Sequence, residues 1–219
     1  MAGIDYRFTD NELLQRALTH KSAGKINNER LEFLGDSVLS VVVSSQLHKM
    51  RPDAHEGDLS RMRARLVRGS TLAELASGIG LGKRIFLGEG ELKSGGFRRA
   101  SILADTLEAL FGAIYLDGGF PACQQVISDM FDPLIENLPA IEELKDSKTR
   151  LQEWLQARAR PLPLYVLQRE TGADHAKRFY VSCELPDDGM QCEASGSSRR
   201  NAEQASASRM LKLLQENNE

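Results

Sequence analysis

Cysteine is scarce in this chain, and its scarcity excludes two kinds of site. The 219 residues include three cysteines, Cys123, Cys183 and Cys192. They are too few and too scattered for a disulfide framework, and no C-x-x-C pair or histidine pair at zinc-binding spacing accompanies them. We therefore expect reduced thiols with a structural role.

The chain also lacks a long hydrophobic run. Its longest apolar stretch, at residues 38–43, is far too short to cross a bilayer, and no apolar signal segment follows Met1. With 41% hydrophobic and 27% charged residues, the composition is typical of a soluble globular protein of one or two domains. We expect a cytoplasmic protein without a membrane partner.

A net positive charge is lacking as well. The 28 Lys and Arg residues against 31 Asp and Glu residues give a formal net charge of −3. By itself this balance argues against a nucleic-acid partner. Any affinity for RNA must therefore come from the local clustering of basic residues.

Acidic residues, by contrast, lie close together in an apolar segment. Glu29, Glu32 and Asp36 are spaced i, i+3 and i+7, so on a helix they fall within about 60° of one another. Such like charges destabilise a helix unless something positive or polar lies among them. A neighbouring Lys or Arg, water and a divalent metal all remain possible, because the spacing does not choose among them.

A second acidic pair lies on another apolar segment predicted to be helical. Asp105 and Glu108 are spaced i, i+3 within residues 102–113. If the two segments face each other, Glu32, Asp36, Asp105 and Glu108 form an all-oxygen cage of the kind that Mg²⁺ prefers. The alternative is that these four are ordinary surface carboxylates on amphipathic helices.

Hydrophobic periodicity divides the chain into two parts. Residues 1–138 are predicted to be a succession of helices, and residues 139–147 are polar and acidic, as expected of a linker. Residues 148–216 are predicted to fold in the order α-β-β-β-α. The main predictions are a capping box at residues 9–12, a helix over 29–47, strands over 165–170, 179–185 and 191–194, a hairpin turn at 186–189 and a final helix over 201–214.

Several motifs in a fixed order give this chain a specific resemblance. Residues 28–39 read NERLEFLGDSVL, preceded by HKS at 20–22 and followed by GDLSR at 57–61, SGGFRR at 94–99 and the Asp105–Glu108 pair. Together they resemble bacterial ribonuclease III. In the last part of the chain, KTRLQE at 148–153, PLY at 163–165, residues 172–179 and SSRRNAEQ at 197–204 resemble the double-stranded RNA-binding domain of that family.

The resemblance implies an all-α endonuclease domain followed by a small α+β double-stranded RNA-binding domain. It implies a homodimeric endoribonuclease that hydrolyses phosphodiester bonds of double-stranded RNA with two Mg²⁺ ions, for which Mn²⁺ can substitute, and without a small-molecule cofactor. The expected products have 5′-phosphate and 3′-hydroxyl ends with short 3′ overhangs. The expected role is the processing of ribosomal and other structured RNA precursors.

The resemblance also assigns roles within the endonuclease part. The metal ligands would be Glu32, Asp36, Asp105 and Glu108, with Asp36 and Glu108 closest to the chemistry. Glu29 and Glu56 would not bind metal directly but would position the metal ligands or the substrate. Phe33 would pack into the partner subunit, although an ordinary core position fits the sequence equally well. Gly35 is costly inside a helix, and close helix packing beside the site would explain it.

The RNA-binding part offers two kinds of contact. Side chains on one face of its first helix suit the 2′-hydroxyls of an A-form minor groove, and basic residues at a helix start suit phosphate. Ala194 and Asn201 depart from the family, which more often has glycine and a third basic residue there. The predicted contacts are Thr149, Gln152, Glu153, Gln156, His175, Arg199 and Arg200, the last two after a cap at Ser198.

Other basic residues in the first part have two interpretations. Arg61, Arg65 and Arg68 are predicted to share a helix face that either rests on phosphates or is merely solvated or ion-paired. Arg98 and Arg99 follow a glycine-rich turn, and they could steer phosphate toward the carboxylates.

Two rival functions remain open from the sequence. One is a non-catalytic binder of double-stranded RNA. The other is a metal-dependent phosphohydrolase that acts on small molecules. A duplex-binding module would have no function in such an enzyme.

Overall fold

The computed structural model describes residues 4–139, 146–173 and 176–216 of the chain. The chain divides after Leu138 into two compact units. In the described residues, no helix is long and apolar enough to span a membrane. All three cysteines are free and buried, in agreement with the expectation of structural thiols.

The first unit is helical, as predicted. Six α-helices and two 3₁₀ turns make up its described residues, together with a single parallel bridge between Thr19 and Phe86. The helices are α1 (Asn11–Ala17), α2 (Glu29–Met50), α3 (Glu56–Leu66), α4 (Gly69–Gly78), α5 (Glu89–Lys93) and α6 (Ala100–Glu136), and the 3₁₀ turns are Leu81–Arg84 and Gly96–Arg98.

The core of this unit lies between α2 and α6, which pack along each other. Leu39 and Val42 of α2 and Leu107 and Phe111 of α6 have no solvent exposure. Full burial of such a side chain contributes about 1.5–3 kcal/mol. The two helices that carry the acidic residues therefore share the core of the unit.

Two glycines allow α2 and α6 to approach at backbone distance. A Cβ atom built on Gly35 would lie 1.8 Å from the carbonyl oxygen of Glu108, and one built on Gly112 would lie 2.2 Å from the carbonyl oxygen of Leu31. No larger residue fits either position without moving a helix. The predicted close packing at Gly35 is thus confirmed.

Helix α6 is interrupted at Gly119, whose φ of 77° and ψ of 177° are not helical. Pro121 lies two residues later, in the first turn of the resumed helix, where proline is tolerated because the N–H it lacks would have no helical acceptor. Just before the break, the carboxylate of Asp117 accepts the hydroxyl of Tyr6 at 2.7 Å and the backbone N–H groups of Thr9 and Asp10. These bonds hold the segment before α1 against α6.

Two local predictions in this unit are wrong. Helix α1 is capped by Asp10 instead of Thr9, because the Asp10 carboxylate accepts the N–H of Glu12 at 2.8 Å. Arg68 does not share a helix face with Arg61 and Arg65, because α3 ends at Leu66 and Arg68 is the residue that precedes α4.

The second unit has the predicted order α-β-β-β-α. Its three strands form an antiparallel sheet in the order β1-β2-β3, the last helix packs on β2 and β3, and the first helix packs against the last and shares its buried core. The elements are α7 (Ser147–Gln156), β1 (Leu164–Thr171), β2 (Arg178–Glu184), β3 (Gln191–Gly196) and α8 (Arg199–Glu216). The buried side chains between helices and sheet include Leu151, Leu155, Cys183, Leu185, Met210 and Leu214.

The ends of these elements have identifiable causes. Helix α7 begins at Ser147, one residue before its predicted start, because the Asp146 carboxylate accepts the N–H of Thr149 at 2.8 Å. The predicted turn between β2 and β3 is present: Gly189 has a φ of 71° and donates its N–H to the carbonyl of Leu185. Most of the predicted linker lies outside the described residues.

Candidate metal centre and nucleic-acid interface

Three carboxylates converge at the place where α2 and α6 approach most closely. Glu32 of α2 and Asp105 and Glu108 of α6 each offer one oxygen atom, and these three atoms lie within 4.8 Å of one another. All three side chains are half-buried. Close backbone packing at Gly35 brings the two helices near enough for this contact.

The three carboxylates of this acidic cluster, Glu32, Asp105 and Glu108, are destabilised in their charged form by burial and, at Glu32 and Glu108, by one another. Burial, followed by the charges of Asp36, Glu32 and Asp105, raises the pKa of Glu108 to about 7. Burial and the charge of Asp105 raise the pKa of Glu32, and burial raises that of Asp105. Carboxylate oxygens are hard ligands, so the donor set fits Mg²⁺ or Mn²⁺.

Asp36, the fourth predicted ligand, lies at the edge of the acidic cluster. It follows Glu32 by one helical turn and is exposed to solvent. The other three predicted ligands converge without Asp36. Among the charges that raise the pKa of Glu108, however, that of Asp36 has the largest effect, second only to burial. The structure therefore places Asp36 beside the cluster and not within its tightest group.

The two predicted supporting carboxylates have different surroundings. Glu29 lies one turn before Glu32, and its charge raises the pKa of Glu32. Glu56 begins α3, accepts the hydroxyl of Ser60 at 2.8 Å and lines a cavity of about 240 Å³ with Ser44 of α2. Because Ser44 follows Asp36 by eight residues, that cavity lies about 12 Å farther along α2. Glu56 is thus not brought together with the acidic cluster.

A loop residue missed by the sequence reasoning also lies at the acidic cluster. The ammonium of Lys21 is 3.3 Å from a carboxylate oxygen of Glu29, and its charge counteracts the rise in pKa at both Glu32 and Asp105. The charge of His20 does the same at Asp105. The HKS motif at 20–22 was the available signal, but it carried no assigned chemistry.

Phe33 lies on the outer face of α2, between Glu32 and Asp36. Its side chain is 77% exposed, so it is not a core residue of the single chain. Val41, two turns later on α2, is 54% exposed. The two side chains are separated by about 12 Å along α2, and the exposed aromatic beside Glu32 and Asp36 is available for contact with another molecule.

The arginines of the first unit are partly engaged within it. Arg61 pairs with Asp58 at 2.7 Å, and Arg99 pairs with Glu91 at 2.9 Å. Arg98 is exposed, with its guanidinium 4.9 Å from the centre of the Phe97 ring. The ion-paired interpretation therefore holds for Arg61.

The predicted contacts on the first helix of the second unit are accessible. Gln152, Glu153 and Gln156 are exposed on α7, and Thr149 is half-buried at its start. Their spacing of i, i+3, i+4 and i+7 places them on one face. His175 lies outside the described residues.

Basic residues cluster where α8 begins. Arg199 and Arg200 are exposed, and the Ser198 hydroxyl accepts the N–H of Asn201 at 3.1 Å, as predicted for a cap. Glu203 joins the two helices of the unit, because one of its oxygens is 3.1 Å from Arg199 and the other is 2.8 Å from Lys148 of α7. This end of the unit therefore presents a positively charged helix N-terminus.

Comparisons with known proteins agree for both units. Residues 10–134 match the family model of ribonuclease-III-like domains, and residues 147–214 match that of the double-stranded RNA binding motif. The chain is 54% identical over 211 residues to ribonuclease 3 of Dechloromonas aromatica, covering 96% of this chain and 95% of the relative. It is 52% identical over 216 residues to ribonuclease 3 of Alkalilimnicola ehrlichii, covering 99% and 95%.

Solved structures give the same result for the fold. The nuclease domain of ribonuclease III from Campylobacter jejuni matches with a TM-score of 0.59 and 41% identity, covering 63% of this chain and 94% of that one. A second structure of that domain, described for flexibility in a region involved in its dimer formation, matches with a TM-score of 0.57 and 44% identity, covering 58% and 90%. Dicer from Pichia stipitis matches over 97% of this chain and 98% of its own, with a TM-score of 0.51 and 27% identity.

Proposed function

Because this chain belongs to the ribonuclease III family of double-stranded-RNA-specific endoribonucleases, we propose that it cuts both strands of an RNA duplex as a homodimer with two carboxylate metal centres. The observation that carries this proposal is the convergence of three carboxylates within 4.8 Å. Their raised pKa values support it, since a cluster that repels its own charge gains most from a divalent cation.

The proposed ligands are Glu32, Asp36, Asp105 and Glu108, with Asp36 and Glu108 nearest the reacting atoms. When bound, a pair of Mg²⁺ ions, or Mn²⁺ in their place, supplies charge neutralisation and an attacking hydroxide near neutral pH. Glu108 must lose its proton to serve as a ligand, and its pKa of about 7 allows this at physiological pH. We assign Glu29 and Glu56 to supporting roles around the site.

The proposed reaction is hydrolysis. An oxygen from water attacks the phosphorus atom, the bond to the 3′-oxygen breaks, and that oxygen takes up a proton. The products then carry 5′-phosphate and 3′-hydroxyl ends. Each centre cuts one strand, so two centres related by symmetry leave a short 3′ overhang.

The second subunit is proposed to cover the outer face of α2. Phe33 lies between Glu32 and Asp36 on this helix and is 77% exposed, so an interface formed around it would lie beside the acidic cluster. Aromatic residues, phenylalanine included, are enriched in the cores of protein interfaces.

Duplex RNA is proposed to bind the second unit by shape. Thr149, Gln152, Glu153 and Gln156 would contact 2′-hydroxyls in the minor groove, and Arg199 and Arg200 would contact phosphates. We add His175 from the sequence resemblance alone. Shape recognition fits ribosomal and other structured RNA precursors as substrates, and free buried thiols fit the cytoplasm as the site of action.

The test compares cleavage and binding of long duplex RNA by the wild type and by Glu108→Ala. We expect the wild type to cut only with Mg²⁺ or Mn²⁺, and the variant to bind normally but to cut poorly. Glu74→Ala, which removes an exposed carboxylate from α4, is the matched control and should cut like the wild type.

The outcomes separate the rival functions. A wild type that binds duplex RNA but never cuts it would be a regulatory binder. Hydrolysis of small phosphodiesters in preference to duplex RNA would favour a phosphohydrolase. Loss of duplex binding in Glu108→Ala would contradict a metal-holding role for this residue.

A further inference from the structure

The loop before α2 combines a fixed backbone with an exposed cation. The backbone N–H of His20 donates to the carbonyl of Phe86, and the hydroxyl of Ser22 accepts the backbone N–H of Gly88 at 3.0 Å. Between these two anchors, Lys21 has a side chain that is 63% exposed. A loop held this firmly places the Lys21 backbone with little freedom while its long side chain stays mobile.

The side chain of His20 also helps to hold this loop in place. Its ring is buried, and Nδ1 accepts the backbone N–H of Ser22 at 3.2 Å and lies 2.8 Å from the Ser22 hydroxyl. Gly88 approaches so closely that a Cβ atom there would lie 2.2 Å from the carbonyl oxygen of Ser22. Contacts on both neighbours of Lys21 thus point the lysine outward.

The ammonium of Lys21 pairs with α2 and lies within electrostatic reach of the acidic cluster on both helices. It pairs with Glu29, one turn before Glu32, and its charge acts on Glu32 of α2 and on Asp105 of α6. The Glu29 pair is exposed, and exposed pairs contribute little to stability. Lys21 can therefore leave Glu29 at little cost.

We propose that Lys21 is a catalytic residue that contacts a non-bridging oxygen of the scissile phosphate and stabilises the negative charge that develops there during cleavage. The inference rests on the proposed cleavage at the acidic cluster. The carboxylates of Glu32, Asp105 and Glu108 are half-buried between α2 and α6, whereas Lys21 is exposed beside them, so its charge can meet an incoming phosphate without taking the place of a metal. A positive charge at this position stabilises the charge that develops in the transition state, and only the Lys21 side chain has to move to reach it.

The first experiment measures single-turnover cleavage of a hairpin RNA at saturating enzyme. Lys21→Ala should slow cleavage about 100-fold, the lower end of the range for removal of one charge-stabilising donor in other enzymes. Lys21→Arg should restore most of the rate. The matched control is Lys93→Ala, which removes an exposed lysine paired with Glu89 at 3.5 Å and should cleave at the wild-type rate.

A double variant separates this role from simple neutralisation of Glu29. If Lys21 only offsets the charge of Glu29, then Glu29→Gln combined with Lys21→Ala should cleave as fast as Glu29→Gln alone. The proposal predicts that Lys21→Ala slows cleavage by a similar factor in both backgrounds. Equal rates for the double variant and Glu29→Gln would overturn it.

Binding supplies a readout that does not depend on turnover. The phosphate that the wild type cuts is first mapped and then replaced by an uncharged methylphosphonate, and the Kd for intact RNA is measured with Ca²⁺. The wild type should bind the neutral RNA more weakly than the charged RNA, whereas Lys21→Ala should show a clearly smaller difference. An undiminished difference in the variant would contradict the contact.

These outcomes are distinct from failure of the proposed function. A wild type that does not cut would refute the proposed function itself. A wild type that cuts at a rate shared by Lys21→Ala would refute only the role of Lys21. Thermal unfolding of every variant should match the wild type, because the Lys21 side chain is exposed.

Discussion

Gly35 of α2 lies directly against the backbone of Glu108 in α6. A Cβ atom at Gly35 would be 1.8 Å from the carbonyl oxygen of Glu108 and 2.8 Å from the backbone nitrogen of Gly112. Gly35 also separates Glu32 from Asp36 in sequence. One missing side chain therefore permits the helix contact that brings the acidic cluster together.

We expect Gly35→Ala to destabilise the protein by about 3 kcal/mol or more, since overpacking of a tight contact commonly costs 1–3 kcal/mol and here the obstacle is backbone. Urea unfolding with and without Mg²⁺ measures the loss. Gly69→Ala is the control, because nothing lies within 4 Å of a Cβ atom there. If both variants unfold at the same urea concentration, the helix contact is not as tight as described.

Much of the fold could be predicted because its signals are local. The apolar periodicity over 29–47 corresponds to the observed α2, Glu29–Met50, and the alternating residues after 148 correspond to the observed strands. The carboxylate pairs on α2 and α6 were visible for the same reason. The spacing alone could not show their convergence, which only the family resemblance implied, because helices separated by some 70 residues meet through tertiary packing such as that at Gly35.

The wrong prediction for Arg68 involves contacts from a neighbouring element. Arg61, Arg65 and Arg68 have helical spacing, but the Thr71 hydroxyl of α4 donates to the carbonyl of Arg65 and accepts Arg68 Nε, which accompanies the break between α3 and α4. For Phe33, the sequence could not choose between core and interface, because both positions favour an apolar residue. Its 77% exposure decides against the core.

The pKa of Glu108 predicts a pH dependence of stability in metal-free protein. Its pKa is 4.5 for an unperturbed carboxyl and about 7 in the fold, so the folded state binds the extra proton between these values. Stability from this group is fully present below pH 4.5 and is lost as the pH rises to about 7. The slope is at most about 1.4 kcal/mol per pH unit, and less here because solvent screens a half-buried group.

Glu108→Gln isolates this effect. In EDTA, the variant should be more stable than the wild type at pH 8, and the difference should shrink toward pH 5. Chemical denaturation of both proteins across this range measures the difference at each pH. A difference that does not change with pH would contradict the raised pKa.

Phe33→Ala should weaken the association of subunits while leaving each subunit folded. A buried interface aromatic commonly contributes about 2 kcal/mol or more, which corresponds to an increase of about 30-fold in the dimer Kd. Sedimentation velocity over a concentration series measures this constant, and circular dichroism checks the fold.

The control for Phe33 is Leu92→Ala, which removes another exposed apolar side chain, 56% exposed in α5. It should leave association unchanged. If Phe33→Ala also leaves association unchanged, another face of the protein forms the interface.

Salt dependence should distinguish the two kinds of RNA contact in the second unit. Arg200→Ala should weaken duplex binding and reduce the slope of log K against log salt by about 1, because one phosphate contact is lost. Gln156→Ala should weaken binding with an unchanged slope, since a 2′-hydroxyl contact releases no counterion. Lys212→Ala, an exposed cation about 18 Å along α8 from Arg200, should alter neither quantity. Equal slopes for Arg200→Ala and the wild type would show that Arg200 does not contact phosphate.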